Sequence, residues 1–235
     1  MQLTVREVSR FLNVSERTVT QWIKRRGLPT QQLNGQYRFN RSELLEWAST
    51  NQIKISKELF DHLDHDDEPV PTLADALEAG GFYYDLQDAD KKRALEALVQ
   101  VLPLPEATDR ELLLRLFLAR EAAATTAIGR GIALPHVRNP IVLNVPRPMV
   151  TLCFLKKPVD FGALDGQPVH VLFSLICPTM RSHLQLLSRI SYALHDEKLS
   201  RTLTRHGKRE EILREVRRIE TTLNAPAGGG EKAAE

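Results

Sequence analysis

Apolar positions near the start of the chain recur at helical spacing in two short blocks: Val5, Val8, Phe11 and Leu12 share one face, and Val19, Trp22 and Ile23 share another. Thr4 with Glu7 three residues on is a capping box, which predicts a first helix from Val5 to about Leu12. Asn13 and Val14 form a turn, and Ser15 caps the second helix. Gly27 ends it and Pro29 prevents its resumption. In QQLNGQYRFN, residues alternate around Asn34-Gly35, a two-residue hairpin signal. Asn40 then caps a third helix, with Glu43 at the capping-box position and Leu44, Leu45 and Trp47 available for packing.

Beyond Asn51 the pattern decays into an acidic run and ends in prolines, so residues 51–70 read as a linker between an N-terminal domain (1–50) and a larger one (71–223). In the larger domain Asp90 precedes an amphipathic helix from Lys91 to about Leu102. Thr108 with Glu111 makes a capping box for DRELLLRLFLAREAAA. PMVTLCFLKKPVDF and QPVHVLFSLICP are β-rich runs, with Asp165-Gly166 as a turn before the second. HLQLLSRISYALHDEKLSRTL is a helix with Leu184, Leu187, Ile190 and Leu194 on one side, and KREEILREVRRIETTL is another. The expected fold class is α/β (α+β), a mixed sheet flanked by helices, and residues 224–235 read as a disordered tail.

Composition narrows this reading. The 235 residues are 42% hydrophobic, enough for a real core, and no window approaches eighteen uninterrupted apolar residues. The first residues lack a charged segment followed by an apolar run, so a cytoplasmic protein with no membrane association is expected. Cys153 and Cys177 lie in apolar runs and read as reduced core thiols. His62 and His65 sit in the acidic linker, which reads as a solvated segment, and no metal site is expected. Net charge is only +2, but Lys24, Arg25 and Arg26 cluster with Arg38 of the hairpin. The outward face of the second helix carries Glu16, Arg17, Thr18, Gln21, Lys24 and Arg25, types suited to base edges and phosphates. The alternative is an interaction module with a solvated basic face. Helix, turn, helix, hairpin, helix over Leu3 to about Ser49 resembles the winged helix-turn-helix of excisionases and MerR-type regulators. That resemblance implies DNA binding, with the second helix in the major groove and Gln36, Tyr37 and Arg38 of the wing at the adjacent backbone. One such unit reads few base pairs, so a homodimer is expected.

The stretch TTAIGRGIALPHVRN, from Thr125 to Asn139, delivers His136 at the end of an apolar run, behind two hydroxyls and two glycines around an arginine. A histidine serves as a phosphorus nucleophile when one ring nitrogen is exposed with its lone pair and the other is fixed by a hydrogen bond. Phosphoryl transfer is mainly positioning and electrostatics, and Thr125, Thr126, Gly129, Arg130 and Gly131 are the residue types that would hold phosphoryl oxygens. The alternative is a core histidine with both nitrogens satisfied. AIGRGIALPH resembles the active-histidine motif of phosphotransferase-system enzyme IIA of the fructose, mannitol and nitrogen-regulatory class. AREAAATTAIG upstream, PVDFGALDGQPVHVLFSLICP downstream and SHLQLLSRIS after it keep the family's order, and the resemblance covers about Pro71 to Leu223.

The resemblance implies that His136 takes a phosphoryl group from phosphohistidine on an HPr-type carrier. It places Arg120 at the family's active-site arginine and His183 at its second histidine, with no metal or organic cofactor. Ala127 stands where the family usually has glycine, and Val137 where it has a very small residue; a β-branched valine there is expected to narrow the approach to His136. The expected function is a phosphohistidine carrier, not a turnover enzyme, that couples phosphotransferase state to gene regulation through DNA. The alternatives are a carrier passing its phosphoryl group to a separate IIB protein or another regulated protein, and an interaction protein with a degenerate site.

Overall fold

The computed structural model describes residues 2–33, 35–56, 71–87, 90–137 and 145–224. Asn34, the acidic run with His62 and His65, and the tail beyond 224 lie outside the described residues.

The N-terminal module contains β1 (Gln2–Leu3), α1 (Val5–Phe11), α2 (Glu16–Arg25), β2 (Gln31–Leu33), β3 (Gln36–Asn40) and α3 (Arg41–Thr50). Its caps follow the sequence. Thr4 and Glu7 exchange both capping-box bonds, the Ser15 hydroxyl accepts from Thr18 N–H, and Asn40 accepts from Ser42 N–H. β2 and β3 pair antiparallel, with Leu33 opposite Gln36, and Gly35 takes the φ of +75° that the two-residue turn requires. Trp22 and Trp47 meet with their rings tilted and their centroids 5.3 Å apart, and the Trp47 indole N–H donates to the Arg26 carbonyl.

The larger domain runs α4 (Leu73–Gly80), β4 (Phe82–Leu86), α5 (Lys91–Val101), α6 (Arg110–Ala123), β5 (Ala127–Gly129), β6 (Ile132–Ala133), β7 (Met149–Val159), β8 (Val169–Ile176), α7 (Met180–Ala193), α8 (Glu197–Thr204) and α9 (Arg209–Asn224). The sheet order is β4-β7-β8-β6-β5, with β4/β7 and β6/β8 parallel and β7/β8 and β5/β6 antiparallel. Alternation divides the strands between two cores. Val150, Leu152, Phe154, Val171, Phe173 and Leu175 pack with α4, α7, α8 and α9, while Met149, Cys153, Leu155, Leu172 and Ile176 pack with α5 and α6.

Three details differ from the sequence reading. The cap of α6 is Asp109, one residue past Thr108, because the Asp109 carboxylate takes the Leu112 N–H. The helix read as continuous from His183 breaks between Ala193 and Glu197, where Asp196 accepts the Lys198 and Leu199 N–H groups and starts α8. Residues 51–56, assigned to the linker, are packed: Ile55 is buried and Ser56 N–H donates to the Phe11 carbonyl. The first core continues across both parts of the chain, joining Leu44, Leu45 and Ile55 to Leu187, Ile190 and Leu194.

Candidate active site

His136 is set by sheet pairing. Leu134 N–H donates to the Thr126 carbonyl (2.9 Å), Leu175 N–H donates to the Pro135 carbonyl (3.4 Å), and His136 bridges in parallel to Leu175. The alternation that places Ile132 and Leu134 in the first core therefore turns the His136 ring to the same face. Its Nδ1 lies 2.7 Å from the Leu134 carbonyl, an acceptor only, so Nδ1–H donates there and Nε2 is the ring nitrogen facing outward.

Two side chains meet it from neighbouring helices. His183, in the first turn of α7, places its ring centroid 5.3 Å from that of His136 and is 1% exposed. Burial, then the facing His136, pushes its pKa from the ordinary 6.5 to about 3, so the ring is neutral near pH 7. Arg120 lies in the last turn of α6 and donates through Nη1 to the Ala124 carbonyl (2.8 Å), which fixes its guanidinium.

A fourth group closes the site, and it belongs to the N-terminal module. Glu46 of α3 sets Oε2 2.9 Å from Arg120 Nη2 and Oε1 3.2 Å from His136 Nε2. With α3 in place His136 is only 3% exposed, so the exposed nitrogen that the sequence reading expected is covered. Glu46 was not anticipated, because its partners Arg120 and His136 lie 74 and 90 residues away and leave no signal beside α3.

The family profile described as "Phosphoenolpyruvate-dependent sugar phosphotransferase system, EIIA 2" matches residues 77–218, more than half of the chain. The chain belongs to that family. A profile described as "Helix-turn-helix domain" matches residues 3–52. The nitrogen regulatory protein of Pseudomonas aeruginosa is 36% identical over 126 residues, covering 52% of this chain and 79% of that protein. The fructose-specific EIIABC component of Bacillus subtilis is 30% identical over 132 residues, covering 55% of this chain but only 20% of its own length. The crystal structure of nitrogen regulatory protein IIA-Ntr from Neisseria meningitidis superposes with a TM-score of 0.51 at 24% identity, over 63% of this chain and 96% of that one, a likeness of fold.

Within the EIIA domain the structure brings His136, His183 and Arg120 together and separates other candidates from them. Thr125 donates its hydroxyl to the Phe161 carbonyl, and Thr126 gives both its N–H and its hydroxyl to Glu121, so these groups hold β5 in place. Gly129, Arg130 and Gly131 form the far turn of the β5–β6 hairpin, with Arg130 N–H on Asp165 (2.7 Å). From the Ile132–Val171 pair to the His136–Leu175 pair is four strand positions, about 13 Å, too far for that turn to touch a group on His136. Its glycines answer close approach instead: a Cβ on Gly131 would meet His170 Nδ1 at 2.1 Å, and one on Gly129 would meet Gln52 Nε2 at 2.1 Å. Val137 is also relocated. Alternation turns it into the second core, away from the His136 ring, so it does not narrow the approach to Nε2.

In the helix-turn-helix domain Arg17, Gln21, Lys24 and Arg25 are exposed along α2. Thr18 is half-buried, with its hydroxyl 2.8 Å from that of Ser15, and Tyr37 packs against the core instead of standing free on the wing. Arg38 is half-buried, donating to Gln36 Oε1 and to the Tyr37 carbonyl. Among the described residues no helix is long and apolar enough to cross a membrane.

Proposed function

We propose that His136 accepts a phosphoryl group from an HPr-type carrier and that the helix-turn-helix binds DNA, making the chain a cytoplasmic regulator that reports phosphotransferase state. The observation that supports acceptance most is the Nδ1–Leu134 bond, which leaves Nε2 as the attacking nitrogen on a ring that cannot turn. The Nε2 lone pair forms the new P–N bond as the bond to the carrier's histidine breaks, and the carrier's imidazole leaves with that electron pair. Arg120 is placed to neutralise phosphoryl oxygens, and the neutral His183 packs beside the ring without adding a competing charge. On the DNA side, exposed Arg17, Gln21, Lys24 and Arg25 lie on one helix beside a hairpin, the arrangement for a major-groove reader with a phosphate-contacting wing. A homodimer would supply the second half-site.

Intact-protein mass spectrometry tests the first part. After incubation with phosphoenolpyruvate, enzyme I and an HPr-type carrier, wild type is expected to gain one acid-labile phosphoryl group and His136→Ala none. No gain in folded wild type, with the carrier itself phosphorylated, would leave an interaction protein. Transfer onward to an added IIB protein would identify a working carrier.

A further inference from the structure

Glu46 comes from the helix-turn-helix domain, yet its carboxylate lies between Arg120 and His136 at the proposed acceptor site. Its two oxygens take Arg120 Nη2 and His136 Nε2, the charge partner and the atom that a phosphoryl group on His136 would require. Carboxylate oxygens only accept, so the contact with Nε2 is fully formed only when that nitrogen carries a proton, and a protonated Nε2 has no lone pair for phosphorus. Around this point α3 is anchored to the EIIA domain at several places. The Ser49 and Ser191 hydroxyls touch, His195 Nε2 lies 3.3 Å from the Gln52 carbonyl, and Gln52 covers Gly129. The Glu46 side chain is 12% exposed and that of Arg120 6%, so the pair is enclosed rather than a surface ion pair.

We propose that the helix-turn-helix domain is the resident occupant of the phosphoryl-acceptor face, with the Glu46 carboxylate standing where the phosphoryl group goes, so that docking of α3 and phosphorylation of His136 exclude each other. This rests on His136 being the acceptor. A carrier cannot reach Nε2 until α3 lifts, and a phosphoryl dianion on Nε2 would face a carboxylate and compete for Arg120. The two effects are reciprocal: docking disfavours phosphorylation by the same factor by which phosphorylation disfavours docking. The exposed residues of α2 lie outside this contact, so the docked domain keeps its basic helix free while its position against the EIIA domain is fixed. Phosphorylation therefore changes how the DNA-binding helix is held, without uncovering it.

The full-length chain tests this with two readouts. The first is the rate of phosphoryl gain in wild type, Glu46→Ala, and a Ser49→Cys/Ser191→Cys double variant, oxidised or reduced. The native Cys153 and Cys177 thiols are buried and pushed up to about 12, so they stay out of the oxidation. Glu46→Ala is expected to be phosphorylated roughly tenfold faster or more, and the oxidised tether to resist until reduced. An oxidised tether phosphorylated as fast as its reduced form would overturn the proposal. The second readout needs no carrier: modification of His136 by diethyl pyrocarbonate, followed by mass spectrometry. Faster modification in Glu46→Ala, with no variant ever phosphorylated, would keep the plug and remove the acceptor assignment. Unchanged modification would overturn the plug itself.

Discussion

His136 and His183 face each other across 5.3 Å, but their surroundings separate them. His136 has a carbonyl on one nitrogen and Glu46 on the other, whereas among the described residues nothing bonds the buried His183 Nδ1. The depressed His183 pKa has a consequence for stability. Between about 3 and the ordinary 6.5 the unfolded chain binds a proton on this ring and the folded chain does not, so stability falls as pH drops through that window. The slope from this residue is at most about 1.4 kcal/mol per pH unit. Urea titrations at several pH values are expected to show a shallower acid loss for His183→Gln than for wild type. Gly131→Ala would place a Cβ on the His170 ring at a φ of +71°, and thermal melts are expected to show a loss of about 1–3 kcal/mol. That His136, Arg120 and His183 would come together was legible because a motif carried them. The roles of Gly131 and Val137 were not, since a motif gives residue types along a line and the alternation of β6 decides which face each one serves.

Among the elements, α4 shows what local pattern cannot supply. Its first N–H groups, from Leu73 and Ala74, donate to the carboxylate of Glu220 on α9, which also pairs with Arg189 of α7 at 3.2 Å. Thr72 caps α4 locally through the Asp75 N–H, but the bonds that Glu220 adds from 147 and 146 positions away leave no signal next to the helix. Removing one partner of a buried ion pair costs about 3–5 kcal/mol, so Glu220→Ala is expected to lower the thermal midpoint far more than loss of the exposed Arg217–Glu78 pair. By contrast the caps of α1, α2 and α3 were readable because Thr4, Ser15 and Asn40 sit beside their helices. For α2, Lys24→Ala with Arg25→Ala is expected to weaken DNA binding and to lower its salt slope by about 1 for each phosphate that no longer has a cationic partner. Titrations at several salt concentrations check this, and unchanged binding would place the DNA interface elsewhere.

At the scale of the whole molecule, the sequence reading separated two domains and placed a linker from residue 51. The structure also continues one core from the helix-turn-helix domain into the EIIA domain and puts an α3 carboxylate on His136. Composition could suggest the linker, but pairings between segments 74 and 90 residues apart have no local trace. Phosphorylation adds close to two negative charges. At close range beside Glu46, each unit of added charge is repelled by on the order of 4 kcal/mol at the effective dielectric of a protein surface. The most direct test of this account is the distance between labels on α2 and α9, measured by pulsed electron spin resonance in the unphosphorylated and His136-phosphorylated chain. A single short distance that lengthens and broadens on phosphorylation, and does neither in His136→Ala, is the predicted result. An unchanged distance in a chain shown by mass to be phosphorylated would contradict it.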